Sequence, residues 1–511
     1  MFFYVFIVLI AGICFYLSSK HTEYPLNMLQ LSEYKNSEYA DWIKLNSDKV
    51  NRLVYKENQE QKTPLVWTDR VKRLKKKHDL VNIIFIVLGL GFSYLVYILT
   101  YSKLSTLSVF IVFSICIYFF QYRILLLSNK LALKKELEIN HGFYTQAQAK
   151  IKDYKENHGL KVLGITGSFG KTSVKFISNT VLAEALRVKN TPSSYNTPMG
   201  LSKVINNELR EDAEVFIAEL GAYKPGEIEE VARLVQPNIG IITAIGPTHM
   251  QIYKTIENIM KTKYELIEAL PDDGVAIFNY DNQYVKKLSD KTVRLKKINY
   301  GIENIEKLDV YAKDINVTTS GSSFTLGIKG LGEIACKTIL LGKHNISNLL
   351  ASASAAYSLG MSLEEISRGV EKVEAVEHRL QLIDPKTGIL VIDDAYNSNP
   401  VGFRAALDVL AEFKEQRKFI ITPGMVELGA LEKEENYKIG KEIAKVCDYV
   451  FLVGINRTKP IYEGLKDAGY DMDKVYQFVN LKAATDELAK INRPNDILLF
   501  ENDLPDNYSE E

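Results

Sequence analysis

Cysteine is scarce in this chain, and the four that occur, Cys14, Cys116, Cys336 and Cys447, are scattered without C-x-x-C spacing. That distribution excludes a disulfide framework and a zinc ribbon and predicts buried thiols in a reducing compartment. Net charge is lacking too, since 63 Lys and Arg balance 63 Asp and Glu over 511 residues. The chain as a whole therefore offers no basic surface of the kind that binds nucleic acid. Also missing at the amino terminus are the basic start and small-residue cleavage site of a secretory signal peptide. Residues 1 to 18, MFFYVFIVLIAGICFYLS, are nearly all apolar and read as a retained membrane anchor.

Two further apolar runs, 81 to 101 and 104 to 122, each approach the roughly 20 residues needed to cross a hydrocarbon core. Only a short SKLS link joins them, which predicts a transmembrane hairpin. Arg70, Lys72, Arg73, Lys75, Lys76 and Lys77 precede the second run, and Arg123, Lys130, Lys134 and Lys135 follow the third. Positive flanks belong in the cytoplasm, so the amino terminus is expected outside, the loop from 20 to 80 inside, and everything after about 125 in the cytoplasm. Residues 1 to 150 thus read as a multi-pass anchor. Its loop carries Trp42 and Trp67 on amphipathic stretches, which either lie on the inner membrane surface or form a solvated helical hairpin.

Beyond residue 150 the pattern changes to short apolar runs alternating with amphipathic helices, the mark of an α/β sheet. The stretch GITGSFGKTS, residues 164 to 173, ends as a nucleotide phosphate loop does, yet it lacks the usual glycine at 165. Ile165 stands there, and the glycine comes one residue early as Gly164. The context fits nonetheless: LKVLGIT reads as a buried strand, and KTSVKFISNTVLAEAL as a helix. Gly167, Ser168, Phe169 and Gly170 would present backbone N–H groups to phosphate, Lys171 a cation, and Thr172 a hydroxyl for Mg²⁺. Glu219 ends a second apolar run, EVFIAELGAY, where an acid can reach a metal held by the phosphates. His249 and Lys263, read alone, are a loop histidine and a solvated helix lysine.

Taken in order, GITGSFGKTS, SSYNTPMG, AELGAYKPGEI, GPTHM, KTKYEL, GKHNISN, EHRLQ and DDAYNSNP resemble the Mur ligases, which build the peptide of peptidoglycan precursors. Among these the resemblance is greatest to the D-alanyl-D-alanine-adding ligases, and it runs from about 160 to about 470. The family's phosphate loop, G-x-T-G-x-x-G-K-T, has its first glycine where Gly164 stands. The resemblance implies a central ATP-binding domain over 151 to 375 and a Rossmann-like carboxy-terminal α/β domain over 376 to 511. It implies Lys171 and Thr172 on the terminal phosphates, Glu219 on one Mg²⁺, and His249 helping to hold a second. Lys263 matches a lysine carbamylated by CO₂, which turns a cation that would repel the metals into an anion. Asn345 and Asn348 match positions near the adenine, and Asn196 a loop near the acceptor or the metals. Arg379 would contact phosphate, and Asp394, Tyr396 and Asn397 would reach ATP when the third domain closes. Read without the family, DDAYNSNP is a polar turn at a strand end.

Such an enzyme activates a carboxylate with ATP and joins it to an amine, on the cytoplasmic face of a bacterial membrane. Departures from the family fall at the substrate ends. Membrane runs stand where the family has its uridine-nucleotide domain, so the carboxylate acceptor is a small molecule or a lipid-linked intermediate. Gly424 in PGMVELG replaces the family's acid, and FENDLPDNY replaces a lysine-glycine-serine motif, while D-alanyl-D-alanine stays the default amine. Two other readings remain: a poly-γ-glutamate synthase-like ligase, and a non-catalytic ATP-binding scaffold at the membrane.

Overall fold

A computed structural model describes residues 2–46, 50, 64–192, 195–386, 388–396 and 398–504. These form two compact units, one ending at His141 and one covering Gly142–Leu504.

The first unit is helical. Phe2–Lys20, Asp69–Thr100 and Lys103–Phe119 contain the three apolar runs. Ile83, Ile84, Val87, Leu88, Phe92 and Leu99 project outward unpaired with protein, as lipid-facing residues do. Among the described residues, two helices are long and apolar enough to cross a membrane, and there is a third span only if Lys103–Phe119 and Gln121–Asn157 count as one despite a 69° bend. The bend has a cause. The Gln121 amide donates to the Ile117 carbonyl at 2.8 Å, inserting a side chain into the helical ladder. Gln121 also exchanges two 3.1 Å hydrogen bonds with Asn82 and meets His78 Nε2 at 2.8 Å, all buried. The short helices Glu23–Leu31 and Asn36–Leu45 pack Leu26, Leu29, Tyr39 and Ile43 onto Val71, Leu74, Tyr122 and Leu125. Trp42 stacks on Tyr122 at 6.0 Å. In the described part of the 20 to 80 loop these side chains meet protein, whereas Leu45, Val66 and Trp67 are exposed, and residues 47–49 and 51–63 lie outside the described residues. Cys14, Cys336 and Cys447 are buried as expected, but Cys116 is exposed on its apolar helix.

The second unit holds two sheets. The larger has nine strands: β1 Lys161–Thr166, β2 Val188–Asn190, β3 Val215–Glu219, β4 Ile239–Ile242, β5 Val275–Asn279, β6 Lys296–Gly301, β7 Val310–Thr318, β8 Gly321–Ile328 and β9 Gly332–Thr338. Their order is β2-β3-β1-β4-β5-β6-β7-β8-β9. Strands β2 to β7 run parallel, and β7, β8 and β9 form an antiparallel meander. Both faces of β1 are covered: Leu163 and Ile165 pack with Val174 and Ile177, and Val162 packs with Phe216 and Leu266. Because β1 lies between β3 and β4, its carboxyl end is a topological switch point, where α/β sheets open a crevice for ligands.

The smaller sheet comprises β10 Gln381–Ile383, β11 Leu390–Asp394, β12 Lys418–Thr422, β13 Tyr449–Val453, β14 Val475–Phe478 and β15 Ile497–Glu501, in the order β10-β11-β15-β12-β13-β14. Only β10 is antiparallel to its neighbour. On one face the helices Glu432–Val446 and Lys459–Asp467 touch through glycine: a Cβ on Gly464 would lie 2.2 Å from the Tyr437 carbonyl, and one on Gly440 2.3 Å from that of Ile461. This contact seats Asn436, which ties down the loop after β12 through two 2.9 Å hydrogen bonds with the Met425 backbone. Gly464→Ala should therefore cost about 1–3 kcal/mol by overpacking. Calorimetry of the full chain should show a lowered transition for the unit that holds this sheet.

Candidate active site

Three adjacent strands deliver the site. β1 ends in the phosphate loop, β3 ends in Glu219, and the segment after β4 leads to His249. Gly164 lies inside β1, away from the phosphates. A Cβ there would come 2.9 Å from Leu266, so the early glycine lets the helix Ile256–Glu268, which carries Lys263, sit close against the strand. The loop itself turns at Gly167 (φ +154°) and Gly170 (φ +83°). It is pinned from the β4 side. Thr243 donates to the Phe169 carbonyl at 2.6 Å, Ser168 N–H to Ala244 O at 2.7 Å, and Ser168 Oγ to Gly246 O at 3.1 Å.

Lys171 folds its ammonium onto the Gly167 carbonyl at 2.9 Å. Burial draws its pKa down, with Glu219 opposing and Arg379 adding to the fall. The Thr172 hydroxyl lies 3.1 Å from both Glu219 oxygens. Lys175, fully buried, pairs with Glu219 Oε2 at 3.1 Å, and the Asn196 amide reaches Oε1 at 3.4 Å. Asn196 thus stands on the carboxylate. Lys175 was not among the residues expected at the site. Its signal was present in the sequence, since a lysine at 175 shares the buried helical face of Ser178 and Leu182.

A cavity of about 230 Å³ opens over these groups, lined by Lys171, Thr172, Glu219, His249, Arg379 and Glu427 among others. An adjoining cavity of about 520 Å³ shares Thr172, Arg379 and Tyr396. His249 has φ +50° and meets Glu427 Oε2 through Nδ1 at 2.8 Å, with the Tyr223 ring 4.7 Å away. The Arg379 guanidinium stacks 4.1 Å over Tyr396. Lys263 is buried, is not among the residues lining this cavity, makes no ion pair among the described residues, and lies 6.0 Å over the Tyr253 ring. Burial, reinforced by Lys171, lowers its pKa to about 7.

Other expected residues are placed less directly. Asn345 donates to the Leu341 carbonyl at 2.9 Å, and Asn348 to Asn345 at 3.3 Å, with Asn348 lying against Gly170. Asn397 lies outside the described residues. Asp394 accepts from Leu380 N–H at 3.2 Å and is joined to Glu501, a buried residue that the sequence reading did not single out. Burial raises both carboxyl pKa values, and Ser398 donates to Glu501 at 2.6 Å. Gly424, in the place of the expected acid, has φ +79° and receives the Asn502 amide on its carbonyl at 2.7 Å.

Among the described residues no three His, Cys, Asp or Glu side chains converge as a closed metal cage. Thr172 and Glu219 nonetheless supply hard oxygen donors beside the phosphate loop. That partial set suits Mg²⁺, which keeps waters and phosphate oxygens as its remaining ligands.

Residues 165–356 match the Mur ligase middle domain, and residues 378–501 the Mur ligase glutamate ligase domain. The UDP-N-acetylmuramoyl-tripeptide--D-alanyl-D-alanine ligase of Bacillus subtilis is 30% identical over 358 residues, covering 70% of this chain and 76% of that protein. The chain belongs to the Mur ligase family. It is thus an enzyme, an ATP-dependent acid–amino-acid ligase of the type used in peptidoglycan synthesis, and the non-catalytic scaffold reading falls away. The ligase is also similar to MurF from Acinetobacter baumannii, with 27% identity and a TM-score of 0.62 over 70% of this chain and 76% of that one. MurF from Thermotoga maritima in complex with ADP shares the fold at 23% identity and a TM-score of 0.63, covering 71% and 80%.

Two outcomes follow for the ligase. Lys175→Met leaves Glu219 buried without its ion-pair partner, which should cost about 3–5 kcal/mol and weaken ATP binding, as thermal unfolding and nucleotide titration would show. The Asp394–Glu501 pair should make stability pH-dependent. The raised values, about 6 for Asp394, mean that its contribution is fully present below the unfolded value of about 4 and is lost as pH rises through the folded one. Glu501→Gln should flatten that decline in denaturation curves taken from pH 4 to 8.

Proposed function

We propose that this ligase activates a peptide carboxylate as an acyl phosphate and joins it to the amine of a dipeptide such as D-alanyl-D-alanine. The observation that carries the reading is the convergence of Lys171, Thr172, Glu219 and His249 on one cavity that Arg379, just before β10, and Glu427, in the loop after β12, complete. The carboxylate oxygen attacks the γ-phosphorus of ATP and ADP leaves. The amine nitrogen then attacks the acyl carbon, loses a proton and expels orthophosphate.

Lys171 and Arg379 would disperse charge on the transferring phosphoryl group, and backbone N–H groups of residues 167 to 170 would hold its neighbours. Thr172 and Glu219 would hold one Mg²⁺, with Asn196 and Lys175 fixing the carboxylate. His249 and a carbamylated Lys263 would hold a second. Bound there, Mg²⁺ supplies charge neutralisation to the phosphate oxygens. Addition of CO₂ requires an uncharged amine, and the buried, unpaired Lys263 with a pKa near 7 supplies one at neutral pH. Asn345 and Asn348 would meet the adenine, and Asp394, Tyr396 and Asn397 the rest of ATP. Closure of the second sheet over the cavity would keep water from the acyl phosphate.

The names of the relatives favour a nucleotide-linked tripeptide over a lipid-linked acceptor as the carboxylate, and D-alanyl-D-alanine over glutamate as the amine. The apolar helices would hold the ligase at the membrane with its catalytic domains in the cytoplasm. Full-length protein in detergent, given ATP, Mg²⁺, bicarbonate, UDP-N-acetylmuramoyl-tripeptide and D-alanyl-D-alanine, should release phosphate only when acid and amine are both present. Phosphate release that ignores the acid would refute the reading. Lys263→Ala should lower turnover by about 100-fold or more, with partial rescue by a short-chain carboxylate, and unchanged turnover would sink the carbamate.

A further inference from the structure

We infer that Glu427 is the specificity residue that receives the ammonium group of the incoming amine, an inference that rests on the ligase reading above. An amino acid or dipeptide arrives at neutral pH with its reacting nitrogen as an ammonium group beside its own carboxylate, and that ammonium must enter a cavity already walled by Lys171 and Arg379. Among the described residues that line this cavity there are two carboxylates, Glu219 and Glu427. Glu219 is 1% exposed and engaged by Thr172, Lys175 and Asn196. Glu427, with 41% of its side chain exposed, is the carboxylate that a solute can reach.

The backbone supports the assignment independently. Glu427 has φ +64°, a left-handed conformation that side chains avoid and that persists only where its surroundings hold it. Here they do: Met425 and Leu428 on either side are buried, Asn436 grips the Met425 backbone, and Asn502 holds Gly424. The loop is thus a rigid mount that turns one carboxylate toward the cavity. The 2.8 Å contact with His249 Nδ1 fixes the direction of that carboxylate, and the exposed Tyr223 ring beside His249 offers the cation an aromatic face.

The test compares two nucleophiles with full-length protein in detergent, ATP, Mg²⁺, bicarbonate and UDP-N-acetylmuramoyl-tripeptide. D-Alanyl-D-alanine at neutral pH is a zwitterion whose reacting nitrogen is an ammonium group, whereas hydroxylamine is mostly uncharged. Glu427→Gln should raise KM for D-alanyl-D-alanine by about tenfold or more, the scale of one charge-assisted hydrogen bond, with a shift in KM for ATP or hydroxylamine of no more than about threefold. Glu427→Asp should recover part of the loss. Glu427→Gly, which relieves the backbone strain, should raise the thermal transition while losing amine affinity to the same extent as Glu427→Gln. A merely structural Glu427 would lose stability and affinity together. Equal losses with both nucleophiles, or no loss with D-alanyl-D-alanine, would overturn the inference. If the unaltered protein forms no ADP with either nucleophile, the ligase reading itself falls and takes the inference with it.

Discussion

The geometry of the phosphate-loop cavity depends on one buried ion pair. Glu219 ends β3 out of contact with solvent, where an ionised carboxylate survives only with compensating partners. Lys175 supplies the countercharge, and Thr172 and Asn196 supply hydrogen bonds. These partners come from the phosphate-loop helix and from the segment before the helix Pro198–Asn207. A single side chain therefore joins the loop, its helix and the neighbouring strand into one rigid assembly, and the cavity forms on its open side.

Much of this was legible in the sequence because it follows from local chemistry. A strand, two glycines, Lys171, Thr172 and a helix predict a phosphate loop, and the acid at the end of β3 is placed by strand length alone. The runs LKVLGIT and EVFIAELGAY became β1 and β3. The meander β7 to β9 was less visible because its strands mix polar with apolar residues and are separated by short turns. Glu427, Glu501 and Thr243 also escaped notice. Each acts through a partner far away in the chain, and a single sequence carries no sign of which distant residue will face a given carboxylate. Gly164 is instructive in a different way. Its position resembled a shifted phosphate-loop glycine, but its role is to remove a side chain between β1 and the helix that brings Lys263 near the site.

The amino-terminal unit follows a different logic. Its long helices are apolar outward, yet their inner faces hold a knot of His78, Asn82, Gln121 and Ser128. Polar side chains among apolar helices are costly unless paired, and here each of the ring nitrogens and amides has a partner. The knot also explains why the third run bends where hydropathy alone extends it straight to residue 122.

The glycine contact between the helices Glu432–Val446 and Lys459–Asp467 reaches further than its size suggests. It positions Asn436, Asn436 fixes the loop after β12, and that loop presents Glu427. Gly440 and Gly464 lie outside the cavity lining, so substitutions at this helix interface re-aim the carboxylate while leaving the residues of the phosphate loop unchanged. The seat of Glu427 thus has a route to change through packing, open to gradual drift and hidden from any comparison confined to the residues lining the cavity.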